Sequence, residues 1–452
     1  MKVAVTGGSG QLGSLVVKRL CRDRAIESVT SIDLRPPLLR TRKLHWVDCD
    51  VRDPAIGRHF AGCDAAVHLA YMVSGYYNTE LAQAVNITGS RNVLTQAADA
   101  GVSHLLFCSS VAAYGSVPGH PVPLTEDSPR RFQPEFGYAA TKFTVEAWLD
   151  SFEQERPKVV VSRIRPAILI GPRMPNLLGS LLRARLLPDM GSPLPVVWDE
   201  DVVEAIALIL KKRAAGAFNL AATDPLPASD LAAAVHMRRV GAPPAALARP
   251  LAEASRLAER LGVGYSFDPA WISSARELLI MDSRRARDVL GWKPQYPTTV
   301  DVLTAYTKIA QRRTDPRLSW FFRAVSLASR TGPKSVELSG MKMLIQLTLT
   351  GPDGGDYTIR VNDGRLRITP GLQRPADSAV TMAAGLFLKL LCARASWGQE
   401  ELAGRIRTEG LPHASMVLAG IIAGFRSHLG VSGPGGWVPR LLGRWIAQKG
   451  NL

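Results

Sequence analysis

Residues 2–13 read KVAVTGGSGQLG, and the organisation of the N-terminal two thirds follows from them. Lys2–Thr6 is a short β-branched run. Gly7, Gly10 and Gly13 come next, at three-residue spacing, and Leu12, Leu15, Val16 and Leu20 recur at a helical period. The pattern is strand, glycine loop, helix. A glycine at the turn permits the required backbone angles. One lacking a side chain lets a diphosphate approach, and the last lets helix pack closely on strand. The start of the helix adds N–H groups without acceptors and a partial positive charge. Asp33 lies about 20 residues further on. A carboxylate there accepts from both ribose hydroxyls of NAD and repels the 2′-phosphate of NADP. NAD is therefore expected over NADP, with Arg35 as the opposing signal.

Further runs repeat the theme. Ser28–Leu34, His45–Val47, Ala65–Leu69, His104–Cys108 and Val159–Ile164 read as strands, and Val85–Ala98 and Ala139–Glu153 as helices. Strands alternating with helices at this spacing give an α/β class: a Rossmann-type, doubly wound parallel sheet with helices on both faces. From Arg165 to Gln311 the pattern loosens. An amphipathic helix at Asp201–Lys212 returns to the sheet, and residues 172–300 are expected to form a small substrate lobe of short helices and loops.

Tyr138-Ala-Ala-Thr-Lys142 places a phenol and an ammonium one turn apart on one helical face. A phenol with an ordinary pKa of ~10 is a poor base at neutral pH, and a nearby ammonium favours the phenolate. Ser110, at a strand end, is placed to hydrogen-bond a substrate oxygen. Tyr138 can then exchange the proton of a substrate hydroxyl while hydride passes to or from a nicotinamide.

Taken together, TGGSGQLG, Asp33, DCDVRD, HLAY at His68–Tyr71, NITGSRN from Asn86, SSVAAYG at Ser109–Gly115, YAATK, and Arg165-Pro166 leading to Gly171-Pro172 resemble an extended short-chain dehydrogenase/reductase of the NAD-dependent epimerase/dehydratase family. The resemblance covers residues 1–311. It implies catalysis by Ser110, Tyr138 and Lys142. It implies cofactor contacts from Gly7, Gly10, Gln11, Leu12, Gly13, Asp33, Asp50, Val51, Leu69, Ala70, Tyr138, Lys142 and Pro166, with Asp50 and Val51 beside the adenine and Asn86 supporting the fold. Cys108 departs from the small residue usual there and is expected to be buried packing. Dehydratases of this family need an acid–base pair just after the Ser position. Here Val111 and Ala112 follow Ser110, which disfavours dehydration. Arg183 and Arg185 are the only basic groups in NLLGSLLRAR, residues 176–185, that could meet a second diphosphate, and the stretch is otherwise largely apolar.

The period changes after residues 312–334, which read as a linker with one amphipathic helix. Met341, Met343, Ile345, Leu347 and Leu349 alternate with more polar residues, as do Tyr357, Ile359 and Val361. Asn362-Asp363-Gly364 turns the chain into Leu366 and Ile368. This is an antiparallel meander with one buried face. Helices are expected at Leu386–Cys392 and Met416–Phe425, giving a C-terminal α+β domain over 335–425. Its meander, ADSAVTM at 376–382 and GRIRTEG at 404–410 resemble the sterol carrier protein type 2 superfamily. That resemblance implies a lipid-binding module, with Met341, Met343, Met382 and Met416 as candidate wall residues. Residues 426–452 form a tail in which Val438, Leu441, Leu442, Trp445 and Ile446 make an apolar helical face flanked by Arg440, Arg444 and Lys449.

The chain has 46% hydrophobic and 21% charged residues, enough to build sizeable cores and too apolar for disorder. Net charge is +16. Residues 1–311 hold 36 of the 55 basic and 30 of the 39 acidic residues, net +6; the remainder holds 19 and 9, net +10. A basic C-terminal third with a Trp-bearing amphipathic tail points to peripheral contact with an anionic membrane. No interleaved basic–aromatic motif points to nucleic acid. Five scattered cysteines without a CxxC pair fit a reducing compartment and no metal site. A cytoplasmic location, membrane-peripheral at most, and a homodimer are expected. The expected activity is NAD(P)-dependent oxidoreduction of a secondary alcohol or ketone on a lipophilic, sterol- or terpenoid-like substrate. The alternative is a sugar-nucleotide or lipid-linked sugar epimerase with a transient keto intermediate. A nucleotide-sensing carrier without turnover is the third, disfavoured by the complete Ser110, Tyr138, Lys142 set.

Overall fold

β-Branched runs too short for helices, separated by amphipathic helical stretches, can bury themselves only as the inner layer of a sandwich, and that is what the chain builds. The computed structural model describes residues 1–39, 41–73, 79–172, 177–183, 185–241, 244–260, 268–277, 279–310, 316–331, 338–350, 354–371, 376–391, 395–410 and 413–429. It divides into two units, residues 1–36 with 41–309, and residues 310–452 with 37–40.

The first unit holds a seven-stranded sheet. Its order across the sheet is Gly216–Leu220, Val160–Pro166, His104–Cys108, Ala65–His68, Lys2–Thr6, Ser28–Ile32, Leu44–Val47. Every pairing is parallel. The inner strands are buried almost throughout, as a sheet covered on both faces requires. Strand order reverses between Lys2–Thr6 and Ala65–His68, so Gly7, Asp33, Leu69 and Ser109 emerge together along the carboxyl edge at the switch point where such sheets bind ligands. Helix Gln11–Arg22 buries Gly13, Val16, Val17 and Leu20, and helix Gly137–Glu155 buries Ala139, Lys142, Val145, Glu146, Leu149 and Phe152.

Three local readings change. Strand Ser28–Ile32 stops two residues before Leu34. The single helix expected over Val85–Ala98 is three pieces: Thr79–Gln83, a π-helical turn Ala84–Gly89, and Ser90–Asp99. Asn86 accounts for the wide turn, because its amide is committed to the Met72 backbone in both directions. A seventh strand, Gly216–Leu220, joins the edge after helix Asp199–Lys212. Its sequence, GAFNL, has only Phe218 and Leu220 as strong apolar positions and gives little periodic signal.

In the lobe, Leu186–Asp189 pairs with Arg238–Gly241 and Ile168–Ile170 with Val196–Trp198, both in parallel. Four short helices follow: Ala228–Ala234, Ala248–Arg260, Ala270–Ser274 and Arg284–Leu290.

The second unit is a five-stranded mixed sheet, in the order Arg365–Pro370, Gly355–Asn362, Lys342–Thr350, Ser378–Ala383, Ile406–Gly410. Lys342–Thr350 and Ser378–Ala383 pair in parallel, the other neighbours antiparallel. Asn362 pairs with Arg365 across Asp363-Gly364, with φ of 45° and 77° at the two turn residues. Both values are left-handed, the requirement of a two-residue type I′ hairpin.

Ile345, Leu347 and Leu349 lie on one face, in register with Ile359, Tyr357, Val380 and Met382. That face is covered partly by the segment read as a linker. Its helix, Pro316–Thr331, puts Leu318, Phe321 and Phe322 into this core, with Phe322 at 4.3 Å from the Tyr357 ring and 5.6 Å from Phe387. Met343 and Met382 are core residues, whereas Met416 is 71% exposed on helix His413–Leu429 and lines no wall. A cavity of about 680 Å³ in this unit is lined by Met382, Ala383 and Leu386 together with Thr381, Lys389, Arg405 and Arg407. The Trp445 tail and Cys392 lie outside the described residues. No helix among the described residues is long and apolar enough to cross a membrane.

Phe322→Ala removes the ring that packs on both Tyr357 and Phe387. It is expected to cost about 3–5 kcal/mol of the second unit's stability. The readout is an earlier denaturant transition for that unit, with dinucleotide binding unchanged.

Candidate active site

The glycine loop is dictated by close approach. Gly7 has φ +72°, and a Cβ there would lie 2.6 Å from the Ala70 nitrogen. A Cβ on Gly13 would lie 2.0 Å from the Gly7 carbonyl oxygen. A side chain at Gly13 would push the first helix off the glycine loop, and one at Gly7 would collide with the Leu69–Ala70 backbone. Gly10 is the residue preceding helix Gln11–Arg22, so the N–H groups of that helix's first turn, starting at Gln11 and Leu12, face outward at the carboxyl edge.

Asp33 reaches back to the loop. Its Oδ2 accepts from Ser9 N at 3.0 Å and its Oδ1 from Arg35 N at 3.1 Å. Burial pushes its carboxyl up, against the pull of those N–H groups. Each oxygen keeps acceptor capacity for a ribose hydroxyl. A close backbone approach at Gly7 and Gly13, a helix start and a tethered carboxylate fit a dinucleotide.

Asp50 is placed otherwise. Its carboxylate is taken by Arg52 in a two-pronged pair at 3.0 and 2.7 Å, which holds it below the usual range. Val51 is buried against Gly89, and its carbonyl accepts from Asn92 at 2.9 Å. Leu69 and Ala70 follow the strand Ala65–His68 beside Gly7, and Pro166 closes the strand Val160–Pro166.

Ser110, Tyr138 and Lys142, the residues expected to carry catalysis, stand on neighbouring elements. Ser110 follows the strand His104–Cys108 and caps the turn Val111–Tyr114, its Oγ accepting from Ala112 N at 3.2 Å. It also lies near enough to the Tyr138 phenol to favour its ionised form. Tyr138 and Lys142 lie on the first turns of helix Gly137–Glu155, Tyr138 half-buried and Lys142 2% exposed.

The electrostatics differ from the expectation in one respect. Burial pushes the Tyr138 phenol up, against the opposing influence of Ser110, rather than Lys142 pulling it down. The Lys142 ammonium donates to the Cys108 carbonyl at 2.6 Å. It sits 3.2 Å from the centre of the Tyr71 ring but 5.8 Å from that of Tyr138. Burial also draws Lys142 down to about 8. Cys108 is half-buried rather than buried, its thiol pushed up by desolvation.

Behind the triplet lies a buried ionic core that the motifs only hinted at. Glu146, fully buried, is held by Arg165 through Nε at 3.0 Å and Nη2 at 2.5 Å, by Arg130 at 3.0 Å, and by the Ser109 hydroxyl. Burial alone would raise its carboxyl, and these cations and the hydroxyl outweigh that and hold it below the ordinary value. Arg165 also donates to Tyr114 Oη at 2.8 Å, and Tyr114 donates to Asn219 Oδ1 at 2.8 Å. Glu146 stands four residues beyond Lys142 and eight beyond Tyr138 on the same helix, a spacing that could have revealed it.

A second buried chain runs from Thr6 to Asn86. Ser90 donates its hydroxyl to the Asn86 carbonyl at 2.6 Å and so accepts from His68 Nε2 at 2.8 Å, which leaves His68 Nδ1 to accept from Thr6 at 2.6 Å. His68 is thereby a neutral Nε2–H tautomer, and burial pulls it down to about 3.

On the lobe side the Tyr138 ring meets aromatic neighbours: Trp271 at 5.4 Å, Phe136 at 5.9 Å and, edge-on, Tyr71 at 5.8 Å. Trp271 stands on the short helix Ala270–Ser274, with no motif to mark it. Arg185 donates to the His236 carbonyl at 2.7 Å.

Residues 3–221 match the model of the NAD dependent epimerase/dehydratase family. An uncharacterised protein of Mycobacterium tuberculosis (strain ATCC 25618 / H37Rv) is 27% identical over 360 residues, covering 75% of this chain and 93% of its own. The 3 beta-hydroxysteroid dehydrogenase/Delta 5-->4-isomerase of vaccinia virus (strain Copenhagen) is 29% identical over 119 residues, 25% of this chain and 34% of that one. Among solved structures, UDP-glucose 4-epimerase from Thermotoga maritima superposes with a TM-score of 0.53 at 21% identity, over 69% of this chain and 99% of that chain. At that identity the likeness is one of fold.

Two measurements test the buried framework. Glu146→Gln leaves the Arg165 charge dry and is expected to cost about 3–5 kcal/mol in denaturant unfolding. His68 refuses a proton until pH about 3, whereas the unfolded chain takes it up near ~6.5. Its contribution is complete above the unfolded pKa and is lost as pH falls through that window. The melting temperature of His68→Gln should therefore fall less steeply between those values than that of the wild type.

Proposed function

We propose that the chain is an NAD-dependent oxidoreductase that interconverts a secondary alcohol and a ketone on a flat, lipophilic substrate. The observation that carries the reading is Trp271, which the lobe brings to 5.4 Å from the Tyr138 ring. An aromatic face there favours an apolar ring system over a sugar. The vaccinia virus relative, named as a hydroxysteroid dehydrogenase, supports the same substrate class.

Asp33 would hold the adenosine ribose and exclude a 2′-phosphate, while Gly7, Gly10 and Gly13 leave room for the diphosphate. Bound NAD supplies a hydride acceptor in one direction and a donor in the other. Ser110 orients the substrate oxygen by hydrogen bonding. Tyr138 takes the hydroxyl proton as the carbinol C–H bond breaks, and returns it in the reverse direction. Lys142, as an ammonium, stabilises the phenolate that this transfer needs. In the same reading the C-terminal unit keeps a poorly soluble substrate at high local concentration beside the enzyme. That role is inferred from its covalent attachment.

The epimerase reading is favoured by the fold neighbours. A panel of sterol and terpenoid alcohols set against nucleotide sugars, with NAD and NADP, separates the two. Net NADH formation is expected with the alcohols. Interconversion of a nucleotide sugar without net NADH would overturn the proposal. Tyr138→Phe should lower turnover by roughly 10²–10⁴-fold. Trp271→Ala should raise KM about tenfold, equivalent to the loss of ~1.4 kcal/mol of binding.

A further inference from the structure

HLAY ends in an aromatic residue whose position the reaction scheme above does not require. Tyr71 follows the strand Ala65–His68 and its hydroxyl donates to Thr141 Oγ1 at 2.8 Å, one residue before Lys142. Thr141 in turn donates to the Tyr138 carbonyl at 3.0 Å. The ring is therefore tied to the helix that carries both catalytic side chains. Its face lies 3.2 Å from the Lys142 Nζ, closer than any other ring; Phe107 stands at 4.8 Å and Tyr138 at 5.8 Å.

A nearly dry ammonium needs compensation for lost hydration. Among the described residues Lys142 has one hydrogen-bond acceptor, the Cys108 carbonyl. The groups facing it from the surrounding elements are the Cys108 thiol, His68, Glu146, Tyr138 and Tyr71. His68 is neutral. The Glu146 carboxylate attracts the ammonium from a distance but is bonded to Arg165, Arg130 and Ser109. The group in direct contact, besides the Cys108 carbonyl, is the negative face of an aromatic ring, and an ammonium within about 6 Å of a ring centre is attracted to it.

We propose that Tyr71 is a positioning residue whose ring face holds the Lys142 ammonium charged and in place within the catalytic set. Tyr71 touches no reacting atom and acts through Lys142. The inference rests on Lys142 serving the proton transfer described above, but its test needs neither substrate nor cofactor.

The full chain is labelled at lysine Cε with carbon-13, the Lys142 resonance is assigned by its loss in Lys142→Arg, and its shift is followed against pH. Tyr71→Phe keeps the ring and should leave the Lys142 midpoint in place. Tyr71→Leu removes the face and should lower the proton affinity of Lys142 roughly threefold to thirtyfold. Tyr71→Trp, with the stronger face, should raise it, and serves if the leucine variant does not fold. Equal midpoints in the phenylalanine, leucine and tryptophan variants would overturn the proposal. So would equal shifts in all three, which would trace the effect to the Thr141 hydrogen bond. Once an alcohol substrate is in hand, the alkaline limb of kcat/KM should move to lower pH in Tyr71→Leu and stay in Tyr71→Phe. An inactive wild type with the expected NMR midpoints would sink the alcohol reading and leave this one standing.

Discussion

A carboxylate cannot sit fully dry unless cations and hydrogen bonds surround it, and Glu146 is fully dry. Meeting that requirement joins the parts of the first unit. Ser109 comes from the end of one strand, Arg165 from the next, Arg130 from the loop between Gly115 and the helix Gly137–Glu155, and Glu146 from that helix itself. Through Tyr114 the connection extends to Asn219 on the edge strand. Ser110 and Lys142 are each within a residue or a helical turn of a member of this set. The triplet is held by the cost of leaving Glu146 or Arg165 unmatched, in addition to local packing.

This explains which features the sequence discloses. The glycine loop, the Tyr138–Lys142 pair and the Asp363-Gly364 hairpin are legible because each is decided within a few residues by steric or turn geometry. The 65–69 and 104–108 runs are legible because buried parallel strands must be nearly continuously apolar. The ionic core is not legible in the same way. Its bonded partners are 16 to 105 residues apart, and a buried Glu looks like any exposed one until its partners are placed. Trp271 is hidden for the same reason, since only tertiary structure brings a residue of the lobe onto Tyr138.

The C-terminal unit shows a related limit. Alternation correctly marks the apolar face of Lys342–Thr350, but alternation does not say what covers it. The covering helix Pro316–Thr331 lies in a stretch that composition reads as a connector. Its Phe321 and Phe322 are the physical reason to count it with the sheet: two rings that would otherwise be left in water. Met343 then serves as packing, whereas Met382 also lines the cavity in this unit, together with Lys389, Arg407 and the Arg405–Glu400 pair. A ligand there would meet charged groups of both signs as well as apolar surface, a more specific demand than an apolar tunnel makes.

Dryness also governs the chemistry. Burial opposes the phenolate of Tyr138 and the ammonium of Lys142, each taken separately. In the proposed reaction their charges are opposite, so the ammonium lowers the cost of forming the phenolate. A site that let Lys142 lose its proton would withdraw that support. The Cys108 carbonyl and the Tyr71 ring both favour the protonated lysine without adding a competing anion. A carboxylate in their place would keep Lys142 charged, but it would also neutralise the field that Tyr138 needs. Compensating the ammonium with a dipole and a ring quadrupole keeps its full charge available to the phenol.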